Sequence, residues 1–124
     1  MSQPTLIAAE VADSLTLAEA AQVSPAGIVS RTVLQAPELR VVLFGFDAGQ
    51  ELTAHTSRRR AVVQVLSGAC EFQFNGTWQR PESGALLHLP PNHPHAVRAS
   101  AGAFTMLLTL GADASSAPAP TSSS

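Results

Sequence analysis

The chain has 124 residues, 45% hydrophobic and 13% charged, with a formal net charge of −2 at pH 7. That length is one domain's worth, and so small a charge offers no footprint for nucleic acid or an anionic membrane surface. Cys70 is the only cysteine, which excludes an intrachain disulfide and any CxxC metal or redox motif.

The N-terminal arm, 1–27, is Ala-rich, and Leu15, Leu17, Ala18 and Ala21 can line one face of a short helix that Pro25 and Gly27 end. The first thirty residues contain no Lys or Arg, and Glu10 and Asp13 break their apolar stretch. Such a start does not make a secretory signal. No run reaches the ~18 apolar residues of a membrane span, so a soluble, cytoplasmic protein is expected.

After Gly27 the hydrophobic pattern takes a period of two, the mark of half-buried strands. Ile28 to Leu34 alternates until Pro37, and Arg40 to Phe46 is nearly continuous apolar up to Asp47-Ala48-Gly49. Ala61 to Leu66 is closed by Ser67-Gly68, and Ala69 to Phe74 runs into Asn75-Gly76, a strong hairpin signal. Within that strand Cys70 alternates with Phe72 and Phe74, as a buried small hydrophobe does. Gly84 to Leu89 ends in Pro90-Pro91-Asn92, and Val97 and Ala103 to Leu110 complete the strands. Short strands between Gly, Pro and Asn turns predict an all-β sandwich or barrel over 28–110. No segment between them suits a βαβ crossover. The tail 111–124 is Ala, Ser, Pro and Thr with one Asp, a composition expected to stay disordered.

Two separated motifs carry a family resemblance. Gly49 is followed after five residues by His55, and Gly68 closes the next strand. Further on, Gly84, Pro90, Asn92 and His95 follow at the spacing glycine, five residues, proline, one residue, glycine, two residues, histidine, with Asn92 in the second glycine position. With the runs Val63 to Gly68 and Leu89 to Ala96, the chain resembles the cupin superfamily, whose fold is a double-stranded β-helix, or jelly-roll barrel. The resemblance implies a metal site of three histidines and a glutamate inside the barrel. Only His55 and His95 stand at those positions here; Ser57 and Ala61 occupy the other two.

A regular strand would place Glu51, Thr53, His55 and Ser57 on one inward face. Ala61, Val63 and Val65 would form the inward face of the neighbouring strand, with His95 approaching from the opposite segment. Two histidines bind metal weakly unless other ligands complete the set; Glu51, His88 and His93 are the candidates. A divalent metal (zinc, nickel, iron or manganese) is thus one expectation, and imidazoles lining a metal-free pocket are the other. His93, beside Pro94, reads first as a turn residue, and His88 as a half-buried strand histidine. Arg58, Arg59 and Arg60 read first as a solvated loop, although arginine forks suit anions. Trp78 and Arg80 read as cover for a sheet edge or subunit contact. The function expected is binding of a small molecule through His55 and His95. The alternative is a metal-dependent oxygenase, isomerase or lyase using the same histidines. A homodimer is expected from the apolar strand edges and sparse surface charge.

Overall fold

A computed structural model describes residues 4–113, the side chains of His55 and Asp113 excepted. Nine strands follow one four-residue helix, α1 (Leu17–Ala20). They are β1 (Ile28–Ala36), β2 (Leu39–Phe46), β3 (Glu51–His55), β4 (Arg59–Gly68), β5 (Glu71–Phe74), β6 (Thr77–Gln79), β7 (Leu86–Leu89), β8 (His95–Arg98) and β9 (Phe104–Asp113). Five strands form one sheet in the order β1-β2-β9-β4-β7, and four form the other in the order β3-β8-β5-β6. Every pairing is antiparallel. This is the all-β sandwich expected from the strand pattern, and its jelly-roll form is the one the resemblance implied.

The alternation of the sequence maps onto the two faces of each strand. Ala61, Val63 and Val65 of β4 are buried while Arg60 and Gln64 are exposed. The inner faces meet in a core that includes Phe46, Phe72, Phe104, Val97 and Met106. The Phe46 and Phe104 rings stack there with centroids 4.6 Å apart. Cys70 lies in the same core at 2% exposure, and burial, with the Glu71 charge beside it, pushes its thiol up to about 11.

Local backbone chemistry sets the turns. Asn75 and Gly76 both take positive φ, 57° and 81°, as a tight hairpin between β5 and β6 requires. Gly68 has φ of 80°, and a Cβ there would strike the backbone at Ala103 and Phe104. One strand had no place in the sequence reading, β6, only three residues long, and β3 is the expected His55 strand without the regular alternation expected of it. β9 also runs past Leu110 to Asp113, so Gly111 to Asp113 belong to the sheet and not to the tail. Arg59 Nε donates to Gly111 O at 2.7 Å and ties that extension to β4. The rest of the expected tail, 114–124, lies outside the described residues.

The arm packs on the five-stranded sheet. Leu6 N and Ile7 N donate to Thr32 O and Val33 O along the β1 edge, satisfying groups an edge strand would otherwise leave open. Farther on, Arg31 donates to Ala20 O at 2.9 Å. The backbone at Gln22 lies so close over Gly45 that no Cβ fits between them.

Candidate functional site

The ends of β3, β4, β7, β8 and β9 decide where the sequence-derived candidates fall. β3 pairs with β8 in the register Glu51↔Arg98, Leu52↔Val97, His55↔His95, with a shift between Leu52 and His55. Two residues, Thr53 and Ala54, stand against one, Ala96, so β3 carries a bulge. The regular alternation expected from sequence therefore fails here. Leu52 and Val97 line the interior, whereas Glu51 is exposed and set opposite Arg98 on the outer face. A bulge changes the parity of everything after it, and this one brings position 55 into register with His95. The two histidine positions are thus neighbours on adjacent strands of one sheet, not residues approaching from opposite segments. The His55 side chain lies outside the described residues.

His95 is half-buried, and its Nδ1 lies 3.0 Å from His93 O. A carbonyl can only accept, so the neutral ring donates from Nδ1 and keeps its lone pair on Nε2. The turn that supplies this carbonyl is held in place: His93 N donates to Pro90 O, and Asn92 N donates to Ser57 O at 2.6 Å. Asn92 takes φ of 64° there. Ser57 is half-buried and its Oγ accepts from Arg59 N. Its part is to brace the loop beside the site.

His95 lines a cavity of about 100 Å³ between the sheets. Leu52, Phe72 and Val97 join it from the four-stranded sheet; Phe44, Val63, Leu89, Met106 and Leu108 come from the five-stranded one. Val63 thus faces His95 across the sandwich, and β4 is not the neighbour of β3 that the sequence suggested. Ala61 is buried on the same inner face of β4, in register with Leu89. Thr53 is exposed in the bulge. His88 is exposed on the outer face of β7, its Nε2 2.8 Å from Arg60 Nη1. His93 contributes its carbonyl from the turn. The lining residues the sequence missed are Phe44, Leu52, Phe72, Leu89, Val97, Met106 and Leu108.

Among the described residues no three His, Cys, Asp or Glu side chains gather as a metal site would need. The carboxylate expected to complete a set, Glu51, points the other way. A structural zinc takes three or four protein ligands, and the described side chains at this site do not supply them.

The outer face of the four-stranded sheet holds a second polar cluster, at the foot of a groove of about 900 Å³. Glu71 accepts from Arg98 Nε at 2.6 Å and from Arg80 Nε at 2.9 Å. The Arg98 guanidinium lies 3.8 Å from the centre of the Trp78 ring. Hydrogen bonds from Arg98, then Arg80 and Ser100, hold the Glu71 carboxyl down to about 2. Both guanidiniums are held by the one carboxylate, so the cluster reads as structure.

Residues 40–116 match the model of the AraC-like ligand binding domain. A conserved protein of unknown function from Streptococcus pyogenes shares 33% identity over 90% of this chain and 96% of its own, with a TM-score of 0.75. An RmlC-like cupin from Desulfovibrio desulfuricans shares 31% identity over 82% of this chain and 97% of its own, with a TM-score of 0.72. The lyase DddQ of Ruegeria pomeroyi, at 23% identity and a TM-score of 0.66 over 76% of this chain and 51% of its own, shares the fold alone. No curated protein matches the chain. With the strand order, the turn glycines and two relatives above 30% identity in agreement, this chain belongs to the AraC-like ligand binding domains of the cupin superfamily.

Proposed function

We propose that the chain is a small-molecule binding module whose ligand enters the barrel cavity beside His95. The observation that carries this reading is the cavity itself: apolar on both sheets, with one oriented imidazole in its wall. A largely apolar pocket with a few placed polar groups is the usual form of a small-ligand site. Its volume of about 100 Å³ equals the space of roughly three waters at ~30 Å³ each, so the enclosed part of the ligand is compact. The ligand-binding description of the matching family agrees with this reading.

A fragment screen read by thermal shift and by NMR of the lining methyl groups tests it. Hits should move the signals of Val63, Val97 and Leu108, and Val63→Ile, which fills space at small cost to stability, should weaken them several-fold. If no fragment moves those signals, the cavity is a packing gap and the reading is lost.

The register of His55 with His95 favours a second reading. In it a divalent metal is held by these two histidines, with the ligand itself completing the set, and the chain works as a metal-dependent enzyme. Metal analysis of protein purified without chelators decides between them. Near-stoichiometric zinc, nickel, iron or manganese that disappears in His95→Ala supports the metal; a value far below stoichiometry leaves the binding module.

A further inference from the structure

Arg40 is the first charged residue of an otherwise apolar strand, and it lies on the wrong face to be a surface arginine. In β2 it shares parity with Phe44 and Phe46, both facing the core. It heads a cross-sheet row, Arg40↔Leu110↔Ala61↔Leu89, at the end of the barrel where β8 begins with His95. Leu89 lines the cavity, and so does Leu108, the diagonal neighbour of Arg40 on β9. Diagonal neighbours lie about 7–8 Å apart, within reach of a long side chain.

Arg40 Nε is buried and has no hydrogen-bond partner among the described residues. Both ion pairs among those residues belong to Glu71, so Glu38, two residues away in the hairpin turn, makes none with Arg40. Burying such a donor without a partner is costly, and native proteins rarely do it without a reason.

We propose that Arg40 anchors the anionic end of the cavity's ligand, a small monocarboxylate whose apolar body sits beside His95. The proposal rests on the binding reading above and names the ligand's class. A carboxylate matches one guanidinium in charge and accepts its forked donors. A phosphate monoester carries nearly twice the charge, and no second unpaired arginine shares the row.

Butyrate, its uncharged isostere butyramide and inorganic phosphate serve as probes, titrated in the presence of a chelator into wild type, Arg40→Met and His95→Ala. Wild type should bind butyrate at least tenfold more tightly than butyramide and should not prefer phosphate. Arg40→Met should bind butyrate and butyramide alike, with butyramide within twofold of its wild-type affinity. Its ligand-free melting temperature should be no lower than that of wild type, since a buried unpaired donor has gone. Equal binding of butyrate and butyramide by wild type overturns the anchor and leaves the cavity reading standing. A preference for butyrate that survives Arg40→Met but not His95→Ala moves the anion to the imidazole and overturns it too. Stronger binding of phosphate overturns the ligand class. A marked fall in melting temperature makes Arg40 a packing residue. Failure of both organic probes to bind wild type removes the cavity reading and the anchor together.

Discussion

Glu71 holds two arginines on the outside of the four-stranded sheet, and the geometry gives its ionised form two charged hydrogen bonds, from Arg98 and Arg80. Its carboxyl lies near 2, against an ordinary 4.5. A folded-state value below the unfolded one means that the stabilisation is complete above about 4.5 and is lost as the pH falls toward about 2. Glu71→Gln should therefore melt several degrees below wild type at pH 7, because it leaves Arg98 over Trp78 without its carboxylate. The gap should close as both proteins are taken from pH 4.5 to pH 2. A gap that stays constant across that range would assign the loss to shape and not to charge. Arg80 is 83% exposed in its side chain, so its share of this effect is the smaller one.

Among the elements, the arm and the β3 bulge do work that no single residue announces. The arm lies on Gly45, where an added Cβ would collide with the Gln22 carbonyl. Gly45→Ala must lift the arm or bend the strand, at a cost of about 1–3 kcal/mol for overpacking. The expected signature in hydrogen exchange is local. The Leu6 and Ile7 amides, which bond to the β1 edge, should lose protection while those of β4 keep theirs. Unchanged protection at Leu6 and Ile7 would show that the arm is held by its edge pairing alone. The bulge, for its part, decides which residues of β3 reach the interior: Leu52 does, and Glu51 does not.

Among the described residues one hydrophobic core is shared by both sheets, with Phe72 from the four-stranded sheet packed among Phe46, Phe104 and Met106 from the other. Neither sheet can bury its inner face alone, so unfolding should be a single event. Phe72→Ala should cost about 3–5 kcal/mol and shift the urea midpoint without splitting the transition. Trp78 is the only tryptophan and reports on the four-stranded sheet; far-UV circular dichroism reports on both. The two probes should give coincident curves, and two separated midpoints would sink the single-core account. No helix among the described residues is long and apolar enough to cross a membrane.

By itself the sequence determined the strand class, most strand positions and the turns. These follow from a period of two and from residues that accept positive φ, both encoded within a few neighbours: Ala61, Val63 and Val65 inward, Asn75-Gly76 in the hairpin, Asn92 before His95. It also carried the fold family, through two histidine motifs whose spacing holds although Ser57 and Ala61 stand at two of the expected positions. Only the tertiary structure decided what depends on register between distant strands. The bulge that sends Glu51 outward is a mismatch with β8, more than 40 residues on. Glu71 meets Arg98 across 27 residues, and Arg40 is set opposite Leu110 and diagonal to the cavity residue Leu108 through β9. Pairing over such separations is fixed by the packed core as a whole, and no local pattern states it.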